Sequence, residues 1–355
     1  MKAVFLSSAL SWHTLRWYNS LKDKLQIKVY SHRRNPELES EDFEVLRPPA
    51  KNKLCYLFAL SYLKKELKRI KPDILHAHYA TSYGLLGALS GYHPLIVSAW
   101  GTDVFEFPEK SIFHRMLLKY VFKKADRICA TSQKLLTRCH QLFPQYADKV
   151  TVIPFGIDLD LFSPELQKRN DSLIRIGTAK ILYHIYQVDS LMKIFDSLCE
   201  RYDNIRLSIA GDGPERDNLL TLKSKLRHGD KIEFRGQIDN SEVPDFLREL
   251  DIFVLPSRFE SFGVAAVEAS TVALPVVAYD VGGVPEVVVN RETGILAPAG
   301  DRQAFQDAMA ELIEKKSLRN QYGRAGRKFV RDNYDITHSV NKQIDIYQDM
   351  ITRRS

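Results

Sequence analysis

Short apolar runs separated by amphipathic stretches recur along the whole chain, an alternation that parallel sheets covered by helices on both faces require. A first series reads KAVFL from Lys2, QIKVY from Gln26, DILHAH from Asp73, PLIVSAW from Pro94, DRICATS from Asp126 and KVTVIPFG from Lys149. Ile157 to Asn170, with Pro164 and the polar run Gln167-Lys168-Arg169-Asn170, then reads as a linker. A second series follows: LIRIGTAK from Leu173, IRLSIAGDG from Ile205, KIEFRG from Lys231, DIFVLPS from Asp251, PVVAYD from Pro275 and GILA from Gly294. No strand candidate follows Ala297, and Thr337 to Met350 has apolar residues near helical spacing. At 355 residues the chain exceeds what one core usually serves. The reading is an α/β protein of two doubly wound domains, residues 1–165 and 166–339, with a C-terminal helix over 340–355 packing back on the first. Two such domains facing a cleft would take ligands at the C-terminal ends of both sets of strands.

Composition narrows the class. A hydrophobic fraction of 45% with 27% charged residues is that of an ordinary globular protein, and no stretch approaches the roughly 20 apolar residues of a transmembrane helix. Met1-Lys-Ala-Val-Phe-Leu-Ser-Ser holds too short an apolar run for a signal peptide, and Cys55, Cys129, Cys139 and Cys199 show no metal-type pairing. The expectation is a cytoplasmic protein with reduced thiols. Charge is uneven: residues 1 to 170 hold 26 Lys and Arg against 16 Asp and Glu, the remainder 25 against 28. A basic half suits nucleic acid, anionic lipid or a phosphorylated substrate.

The most informative segment is Pro256-Ser-Arg-Phe-Glu260-Ser261-Phe262-Gly263-Val264-Ala-Ala-Val-Glu268, directly after the strand DIFVLPS. It reads strand, turn, helix. Gly263 would let backbone approach a ligand, and Val264 would open a helix whose free N–H groups bind phosphate. One carboxylate then precedes that anion-binding end and another lies one turn inside it. Such a pair could bracket a nucleotide sugar, Glu260 accepting from sugar hydroxyls and Glu268 from the ribose diol. Taken singly, Glu260 reads equally as a solvated turn residue and Glu268 as an acid favoured by the helix dipole. Paired carboxylates also serve glycosidases, but the Gly-rich turns after several strands favour a nucleotide pocket.

Glu260 and Glu268, with Ser261-Phe262-Gly263 between them, resemble the signature of retaining GT-B glycosyltransferases, above all family 4, the glycosyl transferases group 1 of bacterial polysaccharide biosynthesis. The resemblance extends to Val152-Ile-Pro-Phe-Gly-Ile-Asp158, Gly211-Asp-Gly-Pro214, Gly282-Gly-Val-Pro-Glu286-Val and Thr293-Gly-Ile-Leu-Ala-Pro298. It implies a GT-B fold, an N-terminal acceptor domain, a C-terminal nucleotide-sugar domain, and transfer of a hexose from a UDP-sugar or GDP-mannose with retention of configuration. The acceptor would be a saccharide or lipid-linked. Donor-binding positions become Ser261, Phe262, Gly263, Val264, Glu268, Gly236 and Gln237; catalytic positions become Glu260 and Lys180. In related enzymes basic residues near the first strand of the second domain grip the diphosphate. Here the segment is Gly177-Thr-Ala-Lys180-Ile-Leu-Tyr-His184-Ile-Tyr186-Gln-Val-Asp189, and Lys180 takes that role. Ile181, Ile185, Tyr186 and Gln187 stand where the family tends to show basic residues and a glycine, with His184 a substitute cation or a solvated residue.

Asp158-Leu-Asp160 mimics a metal motif of another glycosyltransferase fold, but its place at the domain junction suits chain turning. No cofactor or metal is expected. In the first half, His13 and Arg16 either meet acceptor or donor phosphate or cap the first helix, Trp100 offers a stacking wall, and Asp103 either joins the acceptor side or caps the next helix. His76 and His78 end a strand. Two basic amphipathic stretches, Leu54 to Lys71 and Ile112 to Lys124, cover the sheet with their apolar sides and could lay their basic sides against anionic membrane. No nucleic-acid module accompanies the charge. Two rival readings remain: a nucleotide-sugar epimerase or hydrolase on the same fold, and a noncatalytic glycosyltransferase-like partner protein.

Overall fold

The computed structural model describes residues 1–35, 41–46, 55–164 and 172–353, with side chains omitted at 55–58. The linker run Gln167–Asn170, the 165/166 boundary and Leu54 lie outside the described residues. The chain divides into two compact units, Met1–Gly156 with Ile336–Ser355, and Ile157–Asp335. Each is built on its own wholly parallel sheet.

The first sheet contains β1 (Lys2–Leu6), β2 (Gln26–Ser31), β3 (Phe43–Val45), β4 (Ile74–His78), β5 (Leu95–Ala99), β6 (Arg127–Ala130) and β7 (Val150–Val152). Its order is β3-β2-β1-β4-β5-β6-β7. The second contains β8 (Ile174–Ala179), β9 (Ile205–Ala210), β10 (Ile232–Gly236), β11 (Ile252–Leu255), β12 (Val276–Tyr279) and β13 (Gly294–Ala297), ordered β10-β9-β8-β11-β12-β13. All twelve apolar runs form strands. Among the described residues the one strand they do not signal is β3, an edge strand of three half-buried residues whose central Glu44 interrupts any apolar run.

In both sheets the strand order reverses beside the first strand, between β1 and β4 and between β8 and β11. Loops diverge there, and ligands of doubly wound sheets bind outside the carboxyl ends of those strands. Helices supply the covering layers by presenting one apolar stripe. Along Val188–Cys199 the buried Leu191, Phe195 and Leu198 recur at three- and four-residue spacing, and Phe305, Met309 and Leu312 do the same along Arg302–Glu314.

The last helix, Ile336–Thr352, belongs to the first unit and packs on the helix Trp12–Leu21. The chain re-enters that unit against Gly156, where a Cβ would lie 2.4 Å from the Ile336 Cα, so only glycine fits. Tyr347 anchors the helix: fully buried, it hydrogen-bonds His76 Nδ1 at 2.6 Å, while His76 Nε2 meets Ser98 Oγ at 2.8 Å. Tyr347→Phe keeps the ring and leaves a buried imidazole nitrogen unsatisfied. It should cost about 1–3 kcal/mol of stability, read as a lowered midpoint in denaturant unfolding; an unchanged midpoint would show that this bond does not hold the helix.

Candidate functional site

Lys180 is the first residue beyond β8 and Glu260 lies in the turn beyond β11, so the two flank the point where the second sheet reverses its order. Their side chains meet there, Lys180 Nζ lying 2.6 Å from Glu260 Oε1, with 14% and 8% of the side chains exposed. Ser257, fully buried, donates its hydroxyl to the same carboxylate oxygen at 2.8 Å. The Tyr186 ring lies under the ammonium, its centroid 4.5 Å from Nζ, in a cation–π contact. Burial works against the Lys180 charge. The Glu260 carboxylate, helped by Tyr186 and Glu268, outweighs that penalty and holds the ammonium above the ordinary lysine range.

Backbone contacts from neighbouring strands fix both residues. The loop after β9 brings Gly211 onto Lys180, whose N–H donates to the Ala210 carbonyl at 3.0 Å. A Cβ on Gly211, which has φ +137, would lie 1.8 Å from the Lys180 carbonyl oxygen. The loop after β12 does the same at Glu260, whose carbonyl accepts from Gly283 N–H at 2.9 Å; a Cβ on Gly282, φ +55, would lie 1.7 Å from that oxygen. A further bond, Arg258 N–H to the Ile185 carbonyl at 2.9 Å, ties the two loops together.

The turn then enters the helix Val264–Thr271 through Gly263 in the left-handed region. Gly263 has no side chain with which to cap that end, whose first N–H groups suit an anion. Ser261 and Val264 are half-buried on the turn, while Phe262 is buried and packs edge-on against Tyr334 at 5.4 Å. Glu268 is half-buried one turn into the helix. Gly236 ends β10 and its carbonyl accepts from Gly211 N–H at 2.7 Å, with Gln237 exposed beside it. His184 is exposed in the turn His184–Tyr186. Asp158 accepts from the N–H groups of Asp160 and Leu161, both at 3.0 Å, and so forms a local turn.

In the first unit the candidates His13, Arg16 and Trp100 gather beyond the ends of β1 and β5. His13 stacks on Phe155 at 4.1 Å and meets Trp100 edge-on at 5.6 Å, while His78 tilts against Trp100 at 5.2 Å. Arg16 is buried and donates Nη1–H to the Gly156 carbonyl at 2.9 Å. Asp103 is fully buried, accepting from Ala80 N–H at 2.7 Å, Gly101 N–H at 2.7 Å and Trp100 N–H at 3.1 Å. It thereby holds the Trp100 turn from beneath. Burial pushes its carboxyl up to about 6 against those backbone donors. His76 and His78 are buried and held neutral: burial lowers His78 to about 3 and His76 well below its ordinary value, and lowers the nearby His32 to about 4.

Ser257 and the roles of Tyr186, Gly211 and Gly282 are the parts that sequence reading misses. Ser257 stands three residues before Glu260 at the end of a strand, and that position is its only signal.

These two sheets, with loops converging beyond the strand that reverses the order, define a GT-B architecture. Solved structures share it: sucrose-phosphate synthase of Thermosynechococcus elongatus superposes with TM-score 0.86 at 17% identity, over 99% of this chain and 100% of that one. The Anabaena protein HepE, in complex with UDP and glucose, superposes with TM-score 0.81 at 19% identity, over 98% and 99%. Residues 163–329 match the family model glycosyl transferases group 1, and residues 2–132 match glycosyl transferase 4-like. The chain is 26% identical over 341 residues to N-acetyl-alpha-D-glucosaminyl L-malate synthase of Bacillus anthracis, covering 93% of this chain and 86% of that one. It is 29% identical over 290 residues to phosphatidyl-myo-inositol mannosyltransferase of Mycobacterium leprae, covering 80% and 75%. Glycosyltransferase family models thus match each half of a chain that has the GT-B fold.

Two outcomes test this geometry. Gly282 and Gly300 both have positive φ, but a Cβ on Gly300 meets nothing within 4 Å. Gly282→Ala should therefore destabilise by about 1–3 kcal/mol more than Gly300→Ala, read as the difference in thermal midpoints; equal losses would mean the Glu260 backbone is not clamped. The second concerns pH. Unfolded histidines protonate as pH falls through about 6.5, whereas the folded chain keeps His32, His76 and His78 neutral at pH 5. Asp103 opposes this, since the fold holds its proton up to about 6 against an ordinary 3.8. At pH 5 unfolding should take up about two protons net, so stability rises with pH by roughly 2.7 kcal/mol per unit near there. Unfolding free energies measured from pH 5 to 7 check this, and a flat profile would mean that the histidines are charged in the fold.

Proposed function

We propose that this protein transfers a hexose from a nucleotide sugar, a UDP-sugar or GDP-mannose, to a saccharide or lipid-linked acceptor with retention of configuration. The observation that carries this reading is the shielded Lys180–Glu260 pair at the strand reversal, beside the uncapped end of Val264–Thr271. A diphosphate laid on that helix end reaches the Lys180 ammonium, and a sugar attached to it reaches the Glu260 carboxylate. The names of the relatives, an N-acetyl-alpha-D-glucosaminyl L-malate synthase and a phosphatidyl-myo-inositol mannosyltransferase, support the substrate class.

The reaction breaks the bond between the sugar C1 and the diphosphate oxygen, which keeps the electron pair. The acceptor hydroxyl oxygen bonds C1 on the face just vacated, and its proton passes to the departing phosphate oxygen. Lys180 and the helix N–H groups balance the charge that grows on the leaving group, so stabilisation needs no metal. Glu260 accepts from the sugar hydroxyls and, held by Ser257, keeps its aim. Glu268 accepts from the ribose diol. His13, Arg16 and Trp100 in the first unit supply the acceptor side.

Glu260 meets the sugar, whose geometry changes during reaction, whereas Glu268 meets the ribose, which does not change. Glu260→Gln should therefore lower kcat with nucleotide affinity nearly intact, and Glu268→Gln should raise the donor KM, each by roughly 10-fold to 150-fold. Ser257→Ala should lower kcat about 10-fold, with Ser257→Thr recovering much of it. Proton NMR of the product should show the donor's anomeric configuration, and EDTA should leave the rate unchanged. An inverted product, or activity lost to EDTA and restored by Mn²⁺, would overturn the mechanism. Donor turnover without acceptor would favour an epimerase or hydrolase, and donor binding without any turnover a noncatalytic partner protein.

A further inference from the structure

The helix Ile112–Lys124 solves a packing problem on one side and leaves one open on the other. Leu118, Val121 and Phe122 are buried in the core of the first unit. On the far side Ile112, Phe113 and Met116 stand 74%, 63% and 63% exposed, a cluster of large apolar side chains within five residues. Ile112, Met116, Lys119 and Lys123 follow one another at three- and four-residue spacing, so apolar tip and basic shaft share one stripe. Arg115, Lys119 and Lys123 are exposed, Lys124 is half-exposed, and no Asp or Glu occurs in the helix. The nearby Glu109 is occupied by Arg138.

We infer that this face docks on an anionic bilayer, Ile112, Phe113 and Met116 entering the acyl boundary and Arg115, Lys119 and Lys123 meeting headgroup phosphates. Charge selects the occupant. A second copy docked through the same patch would set cation against cation, whereas an anionic surface attracts each Lys or Arg. The apolar tip needs an apolar phase, which a soluble polyanion does not offer. Thirteen residues rise only about 20 Å, and no described helix is long and apolar enough to cross a membrane, so the helix lies in the interface. The other basic helix, Cys55–Ile70, lacks the tip: its exposed described side chains are Ser61, Lys64, Lys65, Lys68 and Arg69, and Arg69 pairs with Glu66. The two basic stretches thus separate into one that can insert and one that carries charge alone.

Cosedimentation of the full chain with vesicles of phosphatidylcholine, alone or with 3 parts in 10 phosphatidylglycerol, tests the surface. Binding should appear with the anionic vesicles and weaken with salt, whose screening length is about 8 Å at physiological ionic strength. The triple variant Ile112→Ser, Phe113→Ser, Met116→Ser and the double variant Lys119→Glu, Lys123→Glu should each weaken it at least about 10-fold, with unchanged thermal midpoints. The emission of a Phe113→Trp variant should shift to the blue on vesicles. Turnover of a soluble acceptor should survive all these changes, which keeps the surface distinct from the transfer chemistry. Absent sedimentation, binding without a blue shift, or a concentration-dependent dimer that the triple variant abolishes would each overturn the proposal, the last in favour of an interface between copies.

Discussion

Everything in the second unit is arranged so that one ammonium and one carboxylate can meet away from bulk water. Shielding a charge pair is expensive, since desolvation can exceed the mutual attraction unless the geometry is tight and the remaining lone pairs are used. The Lys180–Glu260 contact meets both conditions, with a 2.6 Å approach, a serine hydroxyl on the shared oxygen and an aromatic face under the cation. Truncating either partner would leave the other charge stranded. A pair that costs this much to assemble contributes little to stability by itself, and the proposed function gives it a use, holding two opposite charges ready for a ligand that carries both a phosphate and hydroxyls.

Parallel topology makes that arrangement possible. Lys180 and Glu260 lie 80 residues apart in sequence, yet β8 and β11 are hydrogen-bonded neighbours, so their loops emerge side by side. Loops alone would leave the side chains poorly aimed. The flanking strands correct this through glycines that let one backbone rest on another: Gly211 from β9 against Lys180, Gly282 from β12 against Glu260. Four successive strands therefore position two side chains, and the precision resides in main-chain contacts.

This division explains what the sequence discloses. Strands buried on both faces need apolar runs, and even the edge strands Val150–Val152 and Ile232–Gly236 keep apolar residues at alternate positions, so twelve were legible, while Phe43–Val45, three half-buried residues with Glu44 at the centre, left no run. The Glu260–Glu268 spacing was legible because both residues lie on one strand-turn-helix segment. Ser257, Tyr186 and the glycine contacts were not, because they act across space between segments whose adjacency only the sheet order creates. The face of Ile112–Lys124 was half legible: the spacing of its charges showed in the sequence, but helical periodicity assigns apolar residues to the core, and only the fold leaves Ile112, Phe113 and Met116 outside it.

The two units solve the problem of a polar site by opposite means. In the second, burial is offset by pairing full charges. In the first, the strand-end histidines are kept neutral, His76 between Tyr347 and Ser98 and His78 on Ser7 Oγ at 3.0 Å, while the buried Arg16 and Asp103 are met by backbone groups. Rings pack beside Arg16 there, His13, Trp100 and Phe155 lying against one another. The contrast bears on the departure around Lys180. Beside Lys180 the Tyr186 ring faces Nζ and fixes its direction. On the proposed function, a diphosphate here would draw stabilisation from Lys180, from the helix end at Gly263 and from main-chain donors, the last two of which cost no desolvation of a second buried charge.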